Sequence, residues 1–438
     1  MSFTIDFENR DQLDLPALVS KPLPWLKEKQ RLAFEQFKSA KTPTRKIEHW
    51  KYNDMTFLKG QSFTQSKRAN ESVLTEVNGE FNQITFEDAI EIFIVDGHIV
   101  SDISALRSIE GLTITNFNQT SPAQQDIINS HADIELNSKN LLANLNEATL
   151  SDGLLIEVEP KKVIKQPIYI RHVTLSSENP AVSNQKIVVQ LAPSAELTLV
   201  EHFESSLDDS EQLALQQTSI YLAANSRFTH YRLNLEAETA RQVSQVKTTL
   251  DRDAQLNSFY LGLGSKLNRT DIETIHAGQN AECNITGIYL PANEQAIDYH
   301  TNIEHRVPHC NSNEVFRGII ADKASATFNG KIHIFQDAQK SDAQLNNKNL
   351  LLTNQAEVNT KPELEIYADD VSCAHGATVA QLDNKSVYYL QTRGIDKQKA
   401  KKMLSIAFVQ ELLNQIKHES VRDYLSHLLD NYMVKVAN

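Results

Sequence analysis

Residues 191–199 read LAPSAELTL, and the way this stretch turns decides the fold. Leu191 is followed four positions later by a small residue, Ala195, and two later again by Leu197. The same offsets recur at Leu222/Ser226/Phe228, Leu250/Ala254/Leu256, Ala277/Ala281/Cys283, Ile320/Ala324/Ala326 and Leu352/Ala356/Val358. Such a pattern marks a strand, a tight corner and a new strand. After each corner the side chains alternate: Ala195, Leu197 and Leu199 against Glu196 and Thr198, or Ala324, Ala326 and Phe328 against Ser325, Thr327 and Asn329. A period of two belongs to a strand with one buried face.

Successive small residues lie 31, 28, 27, 43 and 32 positions apart. Periods of this length signal a solenoid, and each is long enough for two strands and their turns. The expected fold is therefore mainly β, a parallel, right-handed β-helix whose stacked rungs bury a continuous inner column. The one long interval, 43 residues, reads as a repeat that carries an insertion.

Helical patterns flank the repeats. Pro24 to Ala40 place Trp25, Leu26, Leu32, Ala33 and Phe37 on one stripe, with Pro24 near the first turn, where a missing amide costs little. From roughly Glu91 to Leu390 short strands alternate with Gly, Asn, Asp and Pro turns. Beyond Arg393-Gly394 the period changes: Asp396 suits an N-cap, Leu404, Phe408, Leu412 and Ile416 step by four, and Val421, Tyr424, Leu425, Leu428, Leu429 and Tyr432 form a second stripe. The expected division is an N-terminal helical region over 1–90, a β-helix over 91–392 and a C-terminal domain of two helices over 393–438. The first of those helices carries more apolar residues than one stripe needs. Met403, Leu404, Phe408 and Leu412 are candidates for docking another chain, although packing between the second helix and the solenoid would also cover them.

With 438 residues the chain exceeds one ordinary core, which suits an extended array. Its 43 basic and 56 acidic residues give a net charge of −13, which argues against a partner with a phosphate backbone. The first ten residues include Asp6 and Glu8 and lack a signal-peptide core, and no apolar run reaches membrane-spanning length, so a cytoplasmic protein without a membrane partner is expected. Three cysteines, Cys283, Cys310 and Cys373, are too few for a disulfide framework. No phosphate-binding loop with its lysine occurs, and Gly262-Leu263-Gly264 lacks the third glycine of a dinucleotide loop. The chain is not expected to hydrolyse ATP, and nothing in its residues demands a flavin.

Cys373 and His375 lie two apart in a stretch of strand character, so their side chains share a face. Thiolate and imidazole together suit iron or sulfide, but an iron–sulfur cluster takes about four protein ligands, so the remainder must come from elsewhere. For an isolated Cys-x-His pair, a buried thiol and a hydrogen-bonded imidazole is the commoner outcome. His300, His305, His309 and Cys310 crowd the long interval, without the spacing of a zinc site. Asp369 and Asp370 precede His375-Gly376 and raise a rival reading, a β-helix hydrolase acting on polysaccharide through paired carboxylates. As turn residues the two need no such role.

Four stretches carry a family resemblance: PTRKIEHWKYNDM over 43–55, YHTNIEHRVPHC over 299–310, NGKIHIFQDAQKSDAQLNNKNLLLT over 329–353, and KPELEIYADDVSCAHGATVAQL with YYLQTRG within 361–394. Together they resemble the SufB/SufD family, scaffold subunits of the Suf system of iron–sulfur cluster assembly. The Trp50-Lys51-Tyr52 and Cys373-Ala374-His375-Gly376 segments fit its SufD branch better. The resemblance implies a non-enzymatic scaffold with a β-helix between helical ends, pairing with a SufB-like paralogue, and C-terminal helices that bind a SufC-like ATPase. It also places His375 at the paralogue interface, where a transient cluster is built, and supports Cys373 more weakly. No cofactor is expected to be held tightly by the isolated chain, which could also pair with itself as a homodimer. A third reading, a self-pairing structural β-helix, has no metal role at all.

Overall fold

The computed structural model describes residues 4–436 apart from 16–18, 20–22, 54, 67–83, 107, 132–139, 176–179 and 206–210. Seven complete solenoid turns run from Ala181 to Gln381, each contributing one strand to either of two parallel sheets. The first sheet is built from β1 (Ala181–Leu191), β3 (Gln212–Leu222), β5 (Ala240–Leu250), β7 (Leu267–His276), β9 (Ala296–His305), β11 (Ser325–Ile334) and β13 (Glu357–Ile366). The second holds β2 (Glu196–Ser205), β4 (Arg227–Leu235), β6 (Gln255–Gly262), β8 (Glu282–Tyr289), β10 (Asn311–Ile320), β12 (Asp342–Leu351) and β14 (Ser372–Gln381). Strands before Ala181, among them Ile90–Val95 and Ile168–Thr174, extend both sheets toward the N-terminus.

The expected parallel β-solenoid is what the chain forms, but the long interval is not an insertion. Ala195, Ser226, Ala254 and Ala281 turn the chain into the second sheet, whereas Ala324 and Ala356 turn it into the first. Ala281 and Ala324 therefore stand a turn and a half apart. The true successors of Ala281 are Cys310 and Ser341, buried like the residues before them. Arg306 stands where the pattern calls for an apolar residue four positions before Cys310, which hid that corner from the sequence.

One position before each of these small residues the backbone is left-handed: Ser194, Asn225, Asp253, Asn280, His309 and Lys340 all have φ between 59° and 66°. The amides of Ser194, Asn225, Asp253 and His309 donate to carbonyls of the next turn, Ala224, Arg252, Gln279 and Gln339, at 2.8–3.0 Å. Left-handed backbone costs an L-residue about 1–2 kcal/mol, and the inter-turn bond offsets it at these corners.

The solenoid interior is only partly apolar. Along the first sheet one inner column runs Leu191, Leu222, Leu250, His276, His305, Ile334, Ile366, with the two imidazole rings stacked at 4.3 Å. Burial lowers the His276 imidazole to about 4 and holds His305 low as well, so both are neutral. Toward the N-terminal end, the buried Glu201 carboxylate accepts from Arg232 at 3.1 Å, from Thr218 at 3.1 Å and bonds His230 at 2.8 Å. Paired in this way, buried charges are tolerated.

The helices differ from expectation in number and facing. Among the described residues they are α1 (Lys27–Ser39), α2 (Pro122–His131), α3 (Leu141–Thr149), α4 (Asn384–Thr392), α5 (Lys397–Asn414) and α6 (Glu419–Val436). Thus α2 and α3 interrupt a region read as strands, and three helices rather than two close the chain. On α1 the buried face is Gln30, Ala33, Phe34 and Phe37, and Leu32 is exposed. Asp396 caps α5, accepting from the Lys399 amide at 2.9 Å. Helices α5 and α6 cover the outer face of the second sheet: Val409, Leu412, Leu413, Leu425 and Leu429 pack on Tyr231, Leu233, Phe259, Leu261 and Ile288. No helix among the described residues is long and apolar enough to cross a membrane.

One buried carboxyl has no such partner. Glu314, on the inner face of β10, is fully buried with no cation or well-formed hydrogen bond to its oxygens, and burial, only partly opposed by the nearby Thr301 hydroxyl, pushes it up to about 8. A carboxyl raised in the folded state contributes stability that is present below its unfolded value and lost as pH rises through the folded one. Glu314→Gln should therefore gain roughly 3 kcal/mol over wild type between about pH 5 and about pH 8.5 in paired urea-unfolding curves. A difference independent of pH would show that the carboxyl is ionised and solvated in the native protein.

Candidate functional site

Every turn of the solenoid is covered on both sides by its neighbours until the last. β13 and β14 end their sheets, each pairing on one side only, with β11 and β12. Cys373 and His375 lie on β14. By register Cys373 continues the inner column Leu197, Phe228, Leu256, Cys283, Ser312, Ala343, and His375 continues Leu199, His230, Ser258, Ile285, Glu314, Leu345. All residues beneath His375 in that column are buried, and His375 is exposed. The same holds beside it: Ile366 closes its column at 41% exposure, and Val379 on β14 reaches 48%. These are interior positions with no following turn to cover them.

Cys373 is half-buried against the core. Burial, with the nearby Asp342 carboxylate, pushes its thiol above the ordinary value, favouring the protonated form. The His375 ring makes no hydrogen bond among the described residues, and no group of three or more His, Cys, Asp or Glu side chains there is placed to hold a metal ion.

The other candidates are dispersed. His300 is on the outer face of β9, 2.9 Å from Asp298; His305 points inward and bonds Ser312 at 2.8 Å; His309 is an exposed corner residue; Cys310 is buried in the corner column. The four do not converge, because strand alternation sends neighbours to opposite faces. Asp369 and Asp370 are exposed on the corner before β14, where Asp370 is ion-paired with Lys340. On α5, Leu412 is buried against the solenoid and so unavailable for docking, Leu404 and Phe408 are half-buried, and Met403 is 44% exposed.

Residues 43–53, which had no assigned role in the sequence, form a strap across the outer face of the first sheet. Arg269 of β7 lies 4.0 Å beneath the Trp50 ring, donates to the His49 carbonyl at 2.5 Å, and pairs with Asp271 at 2.9 Å and Asp298 at 3.2 Å. Asn53 donates to Asp298 at 3.1 Å, and Lys361 of β13 joins Glu48 at 2.5 Å. The strap thus links the N-terminal region to the last turn.

Comparison with known proteins agrees with this architecture. Residues 15–170 match the family model for the SufBD protein N-terminal region, and residues 173–408 match that for the SufBD core domain of SUF system FeS cluster assembly, more than half of the chain. This chain belongs to the SufBD family. It is 31% identical to the iron-sulfur cluster assembly protein SufD of Escherichia coli K12 over 87% of its length and 86% of that protein. A SufBD family protein of Synechocystis shares 25% identity over 91% of the chain and 89% of its own length, and SufB of Bacillus subtilis shares 20% over 81% and 78%. The SufBD resemblance carried by the four sequence stretches is thereby established.

The three thiols differ in access. Cys283 and Cys310 are buried and burial raises both, Cys310 to about 11. Iodoacetamide should therefore modify one cysteine per native chain, three after denaturation, and none in native Cys373→Ser. Because the Cys373 thiol is raised, its labelling rate should still climb above about pH 8. Native labelling at Cys283 or Cys310 would contradict the closed interior.

Proposed function

We propose that this chain is a scaffold subunit without catalytic turnover of its own, that its open last turn pairs with a SufB-like paralogue, and that a nascent iron–sulfur cluster forms at the seam. The observation that carries the reading is the uncovered inner column at β13 and β14. An unpaired parallel edge of ten-residue strands with apolar residues beside it is costly to leave in water and a ready template for another chain. Pairing there brings His375 and Cys373 against the partner's surface, where the missing ligands can be supplied. Iron and sulfide are the cargo of that seam, and the family's role in cluster assembly supports the assignment. A cytoplasmic setting fits the three free thiols.

Helix α5 is the proposed seat of a SufC-like ATPase, which would supply the energy this chain lacks a nucleotide loop to harness. The available surface is Met403 with the outer flanks of Leu404 and Phe408. Because α5 and α6 also cover the solenoid, deleting them would bare its apolar face, and point substitution is the cleaner probe.

His375→Ala should leave the complex assembled, since one exposed ring adds little to a large interface, yet lower its iron and sulfide content by roughly ten-fold or more. Equal iron and sulfide in wild-type and variant complexes at matched subunit ratios would remove His375 from the mechanism. Met403→Glu should weaken copurification of the ATPase by roughly ten-fold while the circular dichroism spectrum is unchanged. Undiminished copurification would place the ATPase elsewhere.

A further inference from the structure

Between the strap and the outer face of the first sheet lies a groove of about 1110 Å³, large enough for a small organic molecule. Its floor continues across the turns in register, with Gln217 of β3, Gln245 of β5, Asp271 of β7, His300 of β9 and Asn329 of β11 in one line.

The end nearest α3 is built differently from the rest. Gln217 is only 4% exposed, and neither its amide nitrogen nor its carbonyl oxygen has a hydrogen-bond partner. Leaving a buried polar group unsatisfied costs about 1–3 kcal/mol, so this side chain calls for an occupant. Gln217 lines both the groove and a narrow cleft behind it, and α3 begins at the same place: Asn140 lines both spaces, and Leu141 and Leu142 line the cleft. The Asn140 side chain caps the Ala143 amide at 3.4 Å. First-turn amides have no acceptor within their own helix, and together they present partial positive charge. Lys41, just before the strap, and Lys247 of β5 line the same groove, Lys247 standing 3.5 Å from Glu273. Carboxylates enter the floor only on the next turn, at Asp271, which Arg269 holds, and at Glu273.

We propose that this end of the groove is an anion site holding the phosphate of a phosphorylated small molecule, whose body lies along the groove beside His49 and Trp50. The positive N-terminal end of α3, a carboxamide and two ammonium groups border this space, and suit the three terminal oxygens of a phosphate monoester. A nucleic acid does not fit, because Asp271, Glu273, Glu304 and Glu363 would face successive phosphates farther along. The site is separate from the open last turn, and its fate leaves the assembly reading untouched.

The test is a phosphorus NMR titration of the full chain at low salt with phenyl phosphate and, separately, with inorganic phosphate. Phenyl phosphate should bind saturably and at least several-fold more tightly than inorganic phosphate. Lys41→Glu and Gln217→Glu should each weaken it about ten-fold, whereas Lys323→Glu, on a distant exposed corner, should have no effect. Lys41 is exposed, so its variant reports on binding even if the buried charge in Gln217→Glu disturbs folding. Absence of saturable binding, or equal losses from Lys41→Glu and Lys323→Glu, would overturn the site. Equal affinity for the two probes would overturn the small-molecule assignment.

Discussion

A parallel solenoid satisfies the backbone hydrogen bonds of each strand with the strands before and after it, and that constraint governs this chain from Ala181 to Gln381. Any such stack has two ends. The N-terminal end here is continued by earlier strands and by α1 and α3, whose apolar faces meet the start of the first sheet. At the other end the ladder stops at β13 and β14 with nothing stacked on it among the described residues. Buried backbone groups are nearly always paired, and an edge flanked by uncovered Ile366, Val379 and His375 is where a further subunit gains most from docking. The proposed assembly role follows from where the stack stops.

The same stacking rule organises the rest of the molecule. Corners must repeat in register, so a left-handed residue and a small buried one recur at each entry to the second sheet from β2 to β12, whatever their chemistry: serine, asparagine, aspartate, histidine and lysine all serve as the first. Columns transmit down the axis, so polar groups such as His230, Glu314 and His375 fall in one line and differ mainly in what covers them. The outer faces are used unequally. The second sheet is sealed by α5 and α6, while the first keeps a charged face crossed by the strap.

Much of this was legible in the sequence. The alternation after Ala195 and Ala324 gave strands, the period gave a solenoid, and Asp396 gave a helix start. What the pattern could not distinguish was one corner from the other, because Ala281 and Ala324 look alike although they turn the chain in opposite senses. That ambiguity created a false insertion and made Tyr299 to Cys310 look like inserted sequence, when it is an ordinary strand and corner. The α5 stripe was misplaced for a related reason: a helix covered on two sides has no single apolar face, and burial selected Ala400, Ser405, Val409 and Leu413 alongside Leu412. The shared face of Cys373 and His375 could be read from their spacing. Their exposure could not, since it depends on the absence of an eighth turn.

The most direct measurement is backbone amide hydrogen exchange across residues 357–381, with and without a SufB-like partner, at a concentration where sedimentation shows the isolated chain to be monomeric. Edge strands open to water should exchange rapidly in the free chain and become protected in the complex, while β3 to β10 stay protected throughout. Slow exchange of β13 and β14 in the free monomer, or no added protection on complex formation, would contradict the claim that the last turn is the assembly surface.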